Sequence, residues 1–226
     1  MKICVSTANL GNIDPDGLLH TLQRTPDTWS VDFFGYNDSN FPPRRGALHP
    51  RLQAKIPKML AHELNPGYDY YIWLDGTIAM TQPDSITWLI EKCLDHDMAL
   101  FQHPFRRSIK EEAEYCYAEM RSGNSYLIER YHGEPMWEQV AHYMADPGFD
   151  DHTLFACGVF AYSGSIVQDE PNVMKDWFHH NARYSVQDQL SLPFLIQKYR
   201  IRYRLIEEGI FNNKYFSFVG HQRSIR

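Results

Sequence analysis

Residues Tyr70-Tyr71-Ile72-Trp73-Leu74 form an unbroken apolar and aromatic run, which Asp75-Gly76-Thr77 follows directly. A continuous run of this length predicts a strand that is buried on both faces, as in the middle of a sheet. Ligands of open α/β sheets bind outside the carboxyl ends of the strands. We therefore expect Asp75 to lie at the edge of a binding site.

Strands and helices alternate on both sides of this run. Further strands are predicted at 2–8, 29–36, 98–102, 154–162 and 203–206. Helices are predicted at 45–64, 84–95, 109–121, 171–181 and 188–199, with at least one more between 121 and 154. Pro57 should kink the first helix or split it in two, and Pro193 should lie near the start of the last. The alternation favours an α/β fold with a mostly parallel central sheet flanked by helices.

Composition narrows the class of protein. The chain has 226 residues, 43% of them hydrophobic, and no linker or repeat, so we expect a single domain over 1–226. The 22 basic and 28 acidic residues are mixed along it, which does not indicate a nucleic-acid partner. It contains no apolar run long enough for a membrane span, and its first residues resemble a strand rather than a signal peptide. Four cysteines without a CxxC pair favour buried thiols in a cytoplasmic protein.

Two groups of charged residues are candidates for binding an anionic ligand. Asp75 is suited to hold Mg²⁺ or Mn²⁺ on a pyrophosphate, or alternatively to cap the next turn. Arg51, Lys55 and Lys58 share one side of a predicted helix, where they would face either a diphosphate or water.

A third group follows the strand at 98–102. There His103 and Arg106 are expected at the same edge of the sheet, where a guanidinium grips phosphate well. The alternative is that Arg106 and Arg107 pair with Glu111 and Glu112 in the first turn of the next helix.

Four segments of the chain carry a resemblance to a known family. Arg51-x-x-x-Lys55-x-x-Lys58 followed by YDYYIWLDGTIAM resembles the nucleotide-sugar segment of GT-A glycosyltransferases. ALFQHPFRRSIKEEAEYC at 99–116, FACGVFAY at 155–162 and WFHHNARYSVQDQLSLPFLI at 177–196 follow in the same order. Together they resemble most closely a glycosyltransferase-like family, once a domain of unknown function, that includes plant mucilage-related proteins and proteins with a ceramidase label.

The resemblance implies a GT-A-like, Rossmann-like fold that binds a nucleotide diphosphate sugar at the carboxyl edge of the sheet. Asp75, Gly76 and Thr77 stand in the place of the DxD-like motif, but Thr77 replaces its second aspartate. His221 in the tail is the candidate for the missing metal ligand, because related retaining enzymes use a C-terminal histidine. Imidazole suits Mn²⁺ better than Mg²⁺.

The remaining site predictions also come from the resemblance. Asp188 and Gln189 are similar to the Asp-Gln pair that retaining enzymes place beside the transferred sugar, although Ser185 with Asp188 also fits a helix cap. Arg51, Lys55, Lys58, His103 and Arg106 would bind the donor, and Thr7 and Asn9 would lie near its nucleotide. His179, His180 and the aromatic residues from Tyr126 to Trp137 are candidates to bind the acceptor, a glycan or another hydroxyl compound.

The sequence thus predicts a metal-dependent, retaining glycosyltransferase. A non-catalytic module that binds a nucleotide sugar or carbohydrate is the alternative, because the DxD motif is incomplete. A metal-dependent hydrolase fits poorly, since such sites hold their metal with several protein ligands and no second cluster supplies them.

Overall fold

The computed structural model of the protein describes residues 1–11, 20–41, 48–211 and 213–220. The strands are β1 (Lys2–Asn9), β2 (Ser30–Asn37), β3 (Tyr70–Asp75), β4 (Ile78–Met80), β5 (Met98–Gln102), β6 (Phe155–Ser163), β7 (Tyr203–Ile206) and β8 (Phe216–Phe218). The helices are α1 (Pro50–Met59), α2 (Ala61–Leu64), α3 (Ser85–Cys93), α4 (Ile109–Arg121), α5 (Ser125–Tyr131), α6 (Met136–Met144), α7 (Val173–Arg183) and α8 (Asp188–Lys198). A short 3-10 helix covers Gly164–Val167.

The main sheet has the strand order β2-β1-β3-β6-β5-β7. β1 is parallel to β2 and β3, and β5 is parallel to β7, whereas β6 runs antiparallel between β3 and β5. Five strands therefore point in one direction, and the predicted mostly parallel α/β sheet is confirmed. The carboxyl ends of β1 and β3 meet where Ala8 pairs with Asp75, next to the amino end of β6.

Helices cover both faces of the sheet because successive side chains of a strand point to opposite faces. Cys4, Trp73 and Phe160 contribute to a cluster with α1, α2 and α4 to α8. Val5 and Leu74 contribute to the cluster on the other face, with α3, β4 and β8. The central strands are buried on both sides, which is why β3 and β6 appear in the sequence as continuous apolar runs.

The predicted elements are confirmed, with local differences. The first helix is split, but the break falls at Leu60, beyond Pro57, which remains inside α1. The segment predicted to hold at least one helix contains α5 and α6. Pro193 lies in the middle of α8 rather than near its start. β4 and β8 form an antiparallel ribbon that was not predicted, because each strand has only three residues and the two lie far apart in the chain.

The four cysteines are buried and free, as expected for small apolar side chains. Within the described ranges, none of the helices is long and apolar enough to cross a membrane. The single domain over 1–226 and the cytoplasmic location stay predictions.

Gly164 tests the packing at the end of β6. A Cβ atom there would lie 2.4 Å from the Tyr68 carbonyl oxygen, so Gly164→Ala forces the backbone to shift. We expect this change to lower the free energy of unfolding by about 1–3 kcal/mol in urea denaturation. Gly35→Ala in β2 is the control, because its Cβ would meet nothing within 4 Å. Equal stability of the two variants would contradict this packing.

Candidate active site

A cavity of about 370 Å³ opens at the carboxyl ends of β1 and β3. Its wall is built by the end of β1, by α1, by the turn after β3, by α5, by the start of α8 and by the chain after β7. Two glycines make room for it. A Cβ on Gly76 would lie 2.9 Å from the Ala8 carbonyl oxygen, and one on Gly158 would lie 3.3 Å from Asp75 Oδ2. Gly76 therefore lets the turn after β3 approach β1, and Gly158 in β6 leaves room for the side chains of Asp75 and Ile78.

Asp75 lies at the floor of the cavity with a fixed orientation. Its Oδ1 atom accepts hydrogen bonds from Trp73 Nε1 at 2.7 Å and from Lys58 Nζ at 3.1 Å. The side chain is 41% exposed, so it is accessible from the cavity. In the described part of the chain no backbone N–H bonds its carboxylate, so the geometry does not show the turn cap that was the alternative role.

Lys58 of α1 connects Asp75 to Asp188, and Lys55 of the same helix pairs with Asp188. Lys58 Nζ lies 2.6 Å from Asp188 Oδ2 as well as 3.1 Å from Asp75 Oδ1. Lys55 Nζ lies 2.7 Å from the same Oδ2 atom of Asp188. The three-residue spacing of Lys55 and Lys58 places both ammonium groups on one face of the helix. We call these four residues, Lys55, Lys58, Asp75 and Asp188, the charge cluster.

Because the charge cluster is mostly buried, the ionised state of each member depends on its partners. Lys58 is 4% exposed and the Asp188 side chain 8%, so each would lose much hydration without its partners. Burial alone would raise the pKa of Asp188, but the ammonium groups of Lys55 and Lys58 together outweigh it and hold that pKa well below the usual range. Burial likewise lowers the pKa of Lys58, while Asp188 and Asp75 raise it above its ordinary value. Asp188 and Lys58 are therefore both ionised at neutral pH.

Asp188 does not act as a helix cap. The N-cap residue of α8 is Gln187, which makes no side-chain cap hydrogen bond. Gln187 instead links the site to α4 and α5: its amide accepts from Tyr131 Oη at 2.9 Å and donates to Glu112 Oε1 at 2.6 Å. It also donates to Gln189 Oε1 at 2.8 Å. Buried hydrogen bonds thus orient the start of α8, where the Asp-Gln pair lies.

Nine of the predicted site residues line the cavity together. They are Asn9, Arg51, Lys55, Lys58, Asp75, Gly76, Thr77, Asp188 and Gln189. Thr7 does not line it, because it lies inside β1 between Gly35 and Leu74 of the neighbouring strands. His221 lies outside the described residues.

His103 and Arg106 follow β5 at the expected edge of the sheet but do not line the cavity. Glu112 holds them there: the Arg106 Nε atom forms a very short contact with Glu112 Oε2, and the guanidinium stacks on Tyr115. Arg107 donates its backbone N–H to Glu111 at 2.7 Å. The alternative interpretation, pairing with acidic residues of the first helical turn, therefore holds for the Arg106 side chain, whereas the Arg107 guanidinium donates to the carbonyl oxygen of His103.

Other cavity residues escaped the sequence analysis or were named only in a range. Arg130 of α5 contacts the rings of Tyr126 and Tyr131, and all three line the cavity. The signal was the four-residue spacing of Tyr126 and Arg130, which places them on one helix face. Phe211 and Phe218 also line the cavity and pack edge to face, and they come from a tail without periodicity.

Two residues that were candidates to bind the acceptor do not line the cavity. Trp137 stacks on Tyr117, and His180 packs against Tyr143.

The described residues do not by themselves supply three side-chain ligands for a divalent metal. Among them no group of three His, Cys, Asp or Glu side chains is placed to hold a metal. Thr77 contributes a hydroxyl where the motif would have a second carboxylate, and Lys58 already occupies the Oδ1 atom of Asp75. The cation nearest to Asp75 is therefore an ammonium group of the chain itself.

The mixed sheet and the charged groups at its carboxyl edge are common to many ligand-binding α/β proteins, so the family is shown by comparison with known proteins. Residues 47–222 match the family described as TOD1/MUCI70, glycosyltransferase-like domain, and the chain belongs to that family. The resemblance inferred from the four segments is thus confirmed.

Two solved structures are similar to this chain. Mouse xyloside xylosyltransferase 1, in its apo form, is 9% identical with a TM-score of 0.49, covering 91% of this chain and 85% of the other. A glycosyltransferase involved in the glycosylation of the major capsid of PBCV-1 is 8% identical with a TM-score of 0.43, covering 91% and 81%. No curated protein matches the chain.

The buried Lys58 predicts a large stability effect. Lys58→Met leaves Asp75 without its ammonium partner and Asp188 with Lys55 alone, so we expect the free energy of unfolding to fall by about 3 kcal/mol. Lys198→Met, which removes an exposed ion pair with Asp176, is the matched control and should cost at most about 1 kcal/mol. Urea denaturation compares the two. A loss for Lys58→Met no larger than for the control would contradict the coupling.

His103 predicts a fall in stability in mild acid. Burial and the positive charges of Arg106 and Arg107 lower the pKa of His103 from 6.5 to about 4. Glu112 lies 3.9 Å from His103, but its carboxylate is paired with Arg106. His103 therefore binds a proton more readily in the unfolded chain than in the folded protein. The free energy of unfolding has its full value above pH 6.5 and decreases as the pH falls towards 4.

Between pH 7 and pH 5 we expect His103 to account for about 2 kcal/mol of lost stability, measured by urea denaturation. His103→Gln should remove that share of the pH dependence. The control is His132→Gln, which changes an exposed histidine beyond α5 and should keep the full pH dependence. An unaltered pH dependence in His103→Gln would refute the assignment.

Proposed function

We propose that this protein transfers a glycosyl group from a nucleotide diphosphate sugar to a hydroxyl group of an acceptor, within the cavity at the carboxyl ends of β1 and β3. The observation that carries the proposal is the charge cluster, which places two ammonium groups and two carboxylates at the floor of that cavity. Membership of a glycosyltransferase-like family supports the same reaction.

The lysines are suited to stabilise the leaving group. In the transfer, the bond from the anomeric carbon to the β-phosphate oxygen breaks and a bond from the acceptor oxygen forms. The diphosphate leaves with the electron pair and takes up the proton that the acceptor hydroxyl gives up. Positive groups already in place where negative charge develops lower the barrier most. Lys58 and Lys55 meet this requirement, because α1 and their carboxylate partners fix both ammonium groups before the donor arrives.

Asp188 is suited to the sugar side of the reaction. Its low pKa keeps it a carboxylate at neutral pH, and a carboxylate beside the anomeric carbon stabilises the positive charge that develops there. A diphosphate that takes up Lys55 and Lys58 would release Asp188 from part of its ion pairing. We infer retention of the anomeric configuration from the similarity of Asp188 and Gln189 to the Asp-Gln pair of retaining enzymes.

No step of this proposal depends on a metal. A divalent cation, Mn²⁺ or Mg²⁺, on Asp75 with His221 stays a prediction, and binding assays with each ion and with a chelator test it. The alternative function, a non-catalytic module that binds a nucleotide sugar, is favoured by Thr77 in the place of the second acidic residue. An enzyme slowly hydrolyses its donor in the absence of acceptor, whereas a binding module does not.

Donor hydrolysis is the test of function. A thermal-shift screen with UDP-, GDP-, CMP- and dTDP-sugars first identifies the base, since a ligand at 100 times its Kd adds about 2.7 kcal/mol of stability. Release of the nucleotide from that donor is then measured. We expect Asp188→Asn to lower the rate by about a hundredfold or more, because the carboxylate acts on the transition state.

The control variant is Asp150→Asn, which changes an exposed aspartate that does not line the cavity and should keep the full rate. A nucleotide-dependent thermal shift without hydrolysis would assign the chain to the binding modules. Absence of any shift, or full activity of Asp188→Asn, would overturn the proposed site.

A further inference from the structure

Glu112 is a buried carboxylate that contacts the site from outside the cavity. Its side chain is 3% exposed, and it does not line the cavity. Its Oε2 atom pairs with the guanidinium of Arg106, whose Nε atom can only donate. Its Oε1 atom accepts a hydrogen bond from Gln187 Nε2 at 2.6 Å. Arg106 thus occupies one oxygen of Glu112, and the other oxygen holds the residue that precedes Asp188.

The carboxylate of Glu112 decides which end of the Gln187 amide faces it. A carboxylate paired with a cation only accepts hydrogen bonds, so the amide must turn its NH₂ group towards Glu112. The Gln187 Oε1 atom then faces Tyr131, whose hydroxyl donates to it at 2.9 Å. The second hydrogen of the NH₂ group is donated to Gln189 Oε1 at 2.8 Å. Both ends of the Gln187 amide are therefore bound within the protein.

The orientation of Gln187 in turn fixes the amide of Gln189. Because the Gln189 oxygen accepts the hydrogen bond from Gln187, its Nε2 atom is left for other partners. Within the described ranges, that nitrogen donates to no acceptor of the protein, and Gln189 is half-buried in the cavity wall. The free end of its amide is thus the donor end. We call Glu112, Gln187 and Gln189 the amide network.

Other groups hold the backbone at the start of α8. Glu134 Oε2 accepts hydrogen bonds from Ser185 Oγ at 2.5 Å and from the Val186 backbone N–H at 3.0 Å. Trp177 Nε1 donates to the Asp188 carbonyl oxygen at 3.0 Å. The backbone is therefore fixed both before and after the first glutamine of the amide network. The carboxylate of α4 acts on the orientation of an amide and not on the course of the backbone.

We propose that Glu112 is a positioning residue of the transfer reaction, which acts through Gln187 so that Gln189 offers its N–H groups to a substrate oxygen in the cavity. Donors that are oriented before the substrate binds stabilise negative charge that develops on an oxygen atom. This inference rests on the proposed function and adds to it the role of a residue outside the cavity.

Glu112→Gln should reverse the amide network without a change of shape. The oxygen of the new amide must face the Arg106 Nε atom, so its NH₂ group faces Gln187. Gln187 then turns its own oxygen to that side, where it also accepts from Gln189. The Tyr131 hydroxyl tolerates the reversal, since a hydroxyl both donates and accepts. The cavity would meet the carbonyl oxygen of Gln189 in place of its N–H groups.

Neutron diffraction on crystals exchanged into heavy water reads this orientation, because it locates the deuterium atoms that X-rays do not show. We expect the amide deuterium atoms of Gln189 on the cavity side in the native protein and on the side of Gln187 in Glu112→Gln. A native protein with the Gln189 carbonyl oxygen on the cavity side would overturn the inference, even if the variant fails to fold. An unchanged orientation in the variant would also overturn it.

A double-mutant cycle shows whether Glu112 acts through Gln189. Nucleotide release at saturating donor gives kcat, which Glu112→Gln should lower about tenfold, as for the loss of a hydrogen bond to a charged group. In a Gln189→Met background the same substitution should have no further effect. Glu114→Gln, which changes an exposed carboxylate of the same helix, is the control and should keep the native kcat.

The outcomes of the cycle separate this inference from the proposed function. An equal loss of kcat in both backgrounds would assign Glu112 a structural role alone and overturn its positioning role. An unaltered kcat in Glu112→Gln would overturn that role too, and in both cases the transferase proposal stands. A native protein that releases no nucleotide from any donor would contradict the transferase proposal and the positioning role together.

Discussion

The ammonium group of Lys58, held between the carboxylates of Asp75 and Asp188, is the interaction on which the site depends. It joins three elements that are distant in sequence: α1, the end of β3 and the start of α8. A buried lysine is stable only with acidic partners, and a buried aspartate only with cations. Each element thus fixes the position of the others, and the cavity floor is charged yet balanced before a substrate arrives.

The topology of the sheet brings these groups together. β1 and β3 are adjacent and parallel, so the chain leaves both at one edge, and β6 enters the sheet there in the opposite direction. Gly76 and Gly158 allow the close contacts that this meeting requires. On the outer side, Gln187 joins the start of α8 to Tyr131 and Glu112. The position of Asp188 is therefore fixed by its ion pairs with Lys55 and Lys58 and by the hydrogen bonds of the preceding residue, Gln187.

Much of the fold followed from local patterns in the sequence, because buried strands such as β3 and amphipathic helices such as α4 carry them over many residues. The β4-β8 ribbon did not, since its strands are short and pair across most of the chain. Site residues near the DxD-like segment were predicted through the family resemblance. His103 and Arg106 were predicted to bind the donor, but their side chains contact Glu112 instead, and side-chain packing in the folded protein decides between these two arrangements. Arg130 was missed for the same reason: only the fold shows that α5 borders the cavity.

A crystal structure with the nucleoside diphosphate that binds most tightly tests the central claim most directly. The account predicts that a phosphate oxygen lies within hydrogen-bond distance of Lys58 Nζ, about 3 Å, with the nucleoside towards Asn9. It also predicts that Lys58 no longer bridges Asp75 and Asp188. A nucleotide bound elsewhere, or bound in this cavity with the Lys58 bridge intact and no phosphate beside it, would contradict the account.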